Sequence, residues 1–80
     1  MQLTVLLFAS YADRIGTPSL AVSVDAGATV SDLLGRIAQL PGGSELPPSP
    51  LVAVNQRYAT PDQVLAPGDE VALIPPVAGG

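Results

Sequence analysis

Eighty residues at 48% hydrophobic content make one small domain with a single modest core and exclude a disordered chain. A formal net charge of −4 and a pI near 4.1 leave no basic face for nucleic acid, and no apolar run reaches the roughly 18 residues that would cross a membrane. Cysteine, histidine and lysine are all absent, which removes disulfides, thiol nucleophiles, most metal sites and general bases, and every side-chain acceptor for an isopeptide chain.

The first element is a strand over residues 3–9. The stretch Leu3–Phe8 is too short for a signal peptide and has no basic region before it, so a cytoplasmic protein is expected. Leu3, Val5 and Leu7 face one way, and Thr4, Leu6 and Phe8 the other. Two largely apolar faces fit a central strand, or one whose second face a partner covers. Residues 10–19 read as a connecting loop broken by Gly16 and Pro18. Leu20, Val22 and Val24 then alternate with Ala21 and Ser23 as a second strand with one buried face.

Asp25–Ala28 is a turn. Thr29 is placed as an N-cap, with Asp32 in the capping-box position three residues on. Val30, Leu33, Leu34, Ile37 and Leu40 recur at helical spacing and form one apolar stripe. Pro41 and Gly42-Gly43 stop this helix, and residues 41–50 are a loop. Leu51–Val54 is a short buried strand, Asn55-Gln56 a tight turn, and Arg57–Ala59 a short returning strand. Asp62 and Asp69 are turn residues, and Pro67-Gly68 suits a type II turn. Glu70–Ile74 is the last strand, with Val71 and Leu73 facing the core and Ala72 and Ile74 facing away. The fold class is therefore α+β, a roll in which one main helix packs on one face of a mixed sheet of about five strands.

Pro75-Pro76 cannot continue the ladder and stiffens the root of the C-terminal segment. The domain is expected over residues 1–77, with Ala78, Gly79 and Gly80 as a flexible arm ending in a carboxylate. Glycine has no Cβ, so a diglycine passes a channel that any other residue would block. The chain thus reads as a substrate or carrier for enzymes rather than an enzyme acting alone. Leu6, Phe8, Tyr58 and Ile74 form an apolar patch on the second sheet face near the root of this arm, a candidate partner-binding surface. Arg14, Arg36 and Arg57 have solvated surface positions as their default reading, and Asp69-Glu70 is a weaker candidate docking point.

Several motifs together resemble the small, sulfur-carrier subunits of molybdopterin synthase among the ubiquitin-like β-grasp proteins. These are Val5-Leu-Leu-Phe-Ala9, Gly27-Ala-Thr-Val-Ser-Asp-Leu-Leu34, Val52-Ala-Val-Asn-Gln56, Pro67-Gly-Asp-Glu-Val71 and Ile74-Pro-Pro-Val-Ala-Gly-Gly80. The Pro-Pro-Val-x-Gly-Gly ending is the specific part. A bare Gly-Gly is shared with ubiquitin and with the carrier for thiamine biosynthesis. Ala12-Asp13 stand where the family often has Arg-Glu.

The resemblance implies a β-grasp fold and a non-catalytic carrier role. Gly80 would be adenylated by an E1-like enzyme that uses ATP and magnesium, then converted to a thiocarboxylate by a sulfur donor. The large subunit of the synthase, in a heterotetramer, would use that sulfur to build the dithiolene on a pterin precursor for the molybdenum cofactor. No bound cofactor or metal, nucleic acid or membrane is implied. Other readings are a carrier for thiamine, tRNA thiolation or cysteine synthesis, a ubiquitin-like protein modifier, or a binding module with an inert tail.

Overall fold

The computed structural model describes residues 1–40 and 51–75. In chain order the elements are β1 (Gln2–Leu7), α1 (Ser10–Ile15), β2 (Ser19–Ser23), α2 (Val30–Ala38), β3 (Leu51–Val54), β4 (Arg57–Tyr58) and β5 (Glu70–Ile74). The strands form one five-stranded sheet in the order β2-β1-β5-β3-β4. β1 and β5 are parallel, with Val5 opposite Val71. The other pairs are antiparallel, with Leu3 opposite Val22, Val52 opposite Leu73 and Ala53 opposite Tyr58. β1 is thus flanked on both sides, as its two apolar faces predict. The whole is the α+β roll expected from the element order, and the β-grasp fold that the resemblance implied.

Period-two alternation sends Leu3, Val5 and Leu7, Val22, Val52 and Val54, and Val71 and Leu73 to one side, where all are buried. Val30, Leu33 and Ile37 of α2 close over them, and Leu34 packs partly against the same cluster. The start of α2 is fully satisfied. Thr29 Oγ1 accepts from the Asp32 amide at 3.2 Å, and an Asp32 carboxylate oxygen accepts from the Thr29 amide at 3.0 Å. The segment after β4 supplies the rest: Gln63 and Pro61 carbonyls accept from the Val30 and Ser31 amides at 3.0 and 2.9 Å. Leu65 is buried beneath it. The helix stop expected at Pro41–Gly43 and the loop 41–50 lie outside the described residues.

Residues 10–19 correct the sequence reading, because Ser10–Ile15 is a helix rather than part of a loop. Tyr11 anchors it in the core at 0% exposure, with Ala12 and Ile15 packed partly against the same cluster. Gly16 ends it in the left-handed conformation at φ 95°, where glycine carries no Cβ penalty. Six residues are too few for a periodic stripe to stand out.

The two later turns form as expected. Asn55 and Gln56 both have positive φ, 51° and 71°, the type I′ geometry of a two-residue hairpin. At Ala66–Asp69 the Asp69 amide donates to the Ala66 carbonyl at 3.1 Å, and Gly68 sits at φ 86° in the third turn position.

Candidate functional site

The side of the sheet away from α2 carries the candidate surface. Cross-strand partners share a face, so the register defines a row Ser19–Leu6–Ala72–Ala53–Tyr58 across all strands. A second row holds Ile74 opposite Leu51. Phe8 stands beside it, one residue past β1, its amide donating to the Leu73 carbonyl at 3.3 Å. Neither row contains a charged residue. The polar row lies at the other end of the face, where Ala21, Thr4 and Glu70 are in register. The apolar part is therefore at the end where β5 runs out to Pro75.

All four expected patch residues share this face. Phe8 is 46% and Tyr58 75% exposed, and Leu6 and Ile74 are half-buried. Leu51, 41% exposed, joins them and was missed, because Leu51–Val54 reads as a uniformly buried strand. Alternation was the signal available. Val52 and Val54 point to the core, so Leu51 and Ala53 point outward. Ala53 is buried yet lies outside the core cluster, as expected for a small residue sheltered by larger neighbours on the outer face. The arm residues Ala78, Gly79 and Gly80 lie outside the described residues.

Two turn carboxylates, Asp69 and Asp62, are engaged in local hydrogen bonds. Asp69 accepts from Asn55 Nδ2 at 2.9 Å and from the Ala66 amide at 2.8 Å, while Asn55 Oδ1 accepts from the Glu70 amide at 3.0 Å. This network ties the β3–β4 turn to the start of β5, and so makes Asp69 a brace. The Thr60 hydroxyl, donating at 2.6 Å, and a backbone hydrogen bond hold the Asp62 carboxyl below its ordinary range. Arg36 reaches the Ser23 carbonyl and Gln39 Oε1, each at 3.4 Å, on the far side of the molecule from the apolar rows. Among the described residues no three acidic, histidine or cysteine side chains cluster in a way that would hold a metal ion. None of their helices is long and apolar enough to cross a membrane.

The molybdopterin synthase sulfur carrier subunit of Chlamydomonas reinhardtii is 37% identical over 83 residues, covering 100% of both chains. The Homo sapiens protein of the same name is 39% identical, over 99% of this chain and 94% of its own. Among solved structures, small archaeal modifier protein 1 of Haloferax volcanii superposes with a TM-score of 0.84 at 32% identity, over 95% of this chain and 98% of that one. The family model described as "ThiS family" matches residues 5–80, nearly the whole length. The chain belongs to the ThiS family.

Proposed function

We propose that this chain is the sulfur carrier of a molybdopterin synthase, and that it works by presenting the Gly80 carboxylate from the end of an apolar docking face. The carrying observation is the convergence of two uncharged rows, with Leu6, Phe8, Tyr58, Ile74 and Leu51, on the point where β5 leaves the sheet toward the diglycine. A patch so placed holds a partner while the last residues reach into it. The full-length likeness to named sulfur carrier subunits supports the same reading.

The chemistry stems from the carboxylate. With a reference pKa near ~3.5 it is ionised at neutral pH and is a poor acyl electrophile. An oxygen of Gly80 attacks the α-phosphate of ATP on a separate adenylating enzyme that holds the magnesium, and pyrophosphate leaves. A hydrosulfide-level donor then attacks the acyl carbon, AMP leaves, and Gly80 ends as a thiocarboxylate. Its sulfur is a better nucleophile than oxygen, which suits transfer to an electrophilic carbon of a pterin precursor held by the large subunit. This chain's residues bind and deliver, and the partners supply the catalytic groups.

Docking draws little from the arm. Each backbone residue fixed costs about 1–2 kcal/mol, and glycine the most, so the sheet face supplies most of the binding free energy. The test is reconstitution. The charged chain and a large subunit should convert pterin precursor to a dithiolene product, and the uncharged chain should not. A second reading, a ubiquitin-like modifier, is favoured by the close superposition on the archaeal modifier protein. It predicts covalent conjugates of higher mass in cell lysate and no dithiolene product.

A further inference from the structure

Ala9 has φ 50° and ψ −125°. This is the first central position of a type II′ turn, closed here by the Tyr11 amide donating to the Phe8 carbonyl at 3.1 Å. That position is ordinarily glycine's, because an L residue's Cβ collides with the backbone there. Holding a non-glycine residue in such a region strains the backbone and lowers stability. The Ala9 methyl group gains no core packing in return, because the residue is exposed and absent from those packed on the core; its carbonyl accepts from the Asp13 amide at 3.3 Å at the start of α1, a bond that glycine would make equally. The turn joins two residues with opposite fates. Phe8 lies on the candidate docking face, and Tyr11, three positions on, is fully buried.

We infer that Ala9 is a positioning residue whose methyl group confines the Phe8–Tyr11 turn to one narrow well, so that Phe8 is presented to the partner already ordered. The inference rests on the docking reading above. Glycine at this position would occupy the same turn without strain but within a much broader basin, leaving the Phe8 backbone free to swing. Preorganised side chains lose less entropy on binding. The chain thus accepts a strained turn that lowers its own stability and keeps its single phenylalanine in one orientation.

The test compares three full-length synthetic chains: the natural one, Ala9→Gly, and one carrying the D enantiomer of Ala9. The D enantiomer fits this turn without strain and stays confined, which separates confinement from strain. Both variants should melt above the natural chain. Relaxation of labelled Phe8, unambiguous because it is the only phenylalanine, should show a more mobile residue in Ala9→Gly alone. Against a molybdopterin synthase large subunit, Ala9→Gly should bind about threefold to tenfold more weakly. The D-enantiomer chain should bind like the natural one, and the Ala9→Gly effect should vanish in a Phe8→Ala background. Unchanged Phe8 mobility and affinity in Ala9→Gly overturns the inference while leaving the docking reading intact. Equal weakening by both variants also overturns it, since relief of strain would then be the cause. A mobile Phe8 in Ala9→Gly, combined with no binding by the natural chain, overturns the docking reading instead.

Discussion

Truncating Phe8 to alanine separates what the aromatic ring does for the fold from what it does for docking. A phenylalanine side chain presents about 200 Å² of apolar surface. With Phe8 46% exposed, about 90 Å² remains for a partner to cover, worth about 2 kcal/mol at roughly 25 cal/mol per Å². That is on the order of a 30-fold loss of affinity. The covered part, about 110 Å², sets an upper bound of about 2.5 kcal/mol on the stability loss, because the unfolded chain already shelters some of it. Phe8→Ala should therefore weaken both. Tyr58 is 75% exposed on the short edge strand, so Tyr58→Ala should cost the fold about 1 kcal/mol or less and binding about 2 kcal/mol or more if the ring is covered on docking. Calorimetric titration of each variant against the large subunit, paired with urea denaturation, gives both numbers. Affinity unchanged in both variants would refute the docking face. An unfolded Phe8→Ala chain would refute the assignment of Phe8 to the outer side of the sheet.

Gly79→Val should leave the melting temperature nearly unchanged, as expected of a terminal diglycine arm, yet should abolish sulfur transfer by blocking a narrow partner channel. Turnover at the natural rate would sink the idea of a channel. Gln56 is a non-glycine residue at φ 71°, so Gln56→Gly should stabilise by about 1 kcal/mol, read as a rise of about 4–8 °C in Tm. The Tyr11 hydroxyl is buried with no partner among the described residues, and Tyr11→Phe should be neutral or stabilising by about 1–2 kcal/mol in a denaturant melt. Burial also pushes the Tyr11 phenol above its ordinary value. The unfolded chain therefore ionises this group first, and stability falls as pH climbs past about 10. Tyr11→Phe should lose that part of the alkaline sensitivity, as measured by melting temperature against pH.

Elements whose signals repeat were legible from sequence. The alternation of Leu3, Val5 and Leu7, the stripe through Val30, Leu33 and Ile37, and the Thr29–Asp32 box each specify a facing or a boundary that the fold reproduces. The helix Ser10–Ile15 was not legible, because a single tertiary anchor, Tyr11, decides it and six residues carry no repeating pattern. Four members of the outer patch could be read from their strands. Leu51's outward facing was available from the alternation with Val52 and Val54, but its place beside Ile74 was not, because that requires the β3–β5 register, which is a long-range pairing. The positive φ of Ala9 was equally hidden, since alanine gives no local warning of a turn that glycine ordinarily fills.

Whether Gly80 carries sulfur is decided by intact-mass spectrometry with fragmentation. The natural chain is incubated with ATP and magnesium, a cognate adenylating enzyme and a sulfide donor. One oxygen should be exchanged for sulfur, fragmentation should place the change on Gly80 alone, and omitting ATP should prevent it. Sulfur found on any other residue, or a C-terminus left as a carboxylate after turnover with an enzyme active on a known carrier, would contradict the carrier reading.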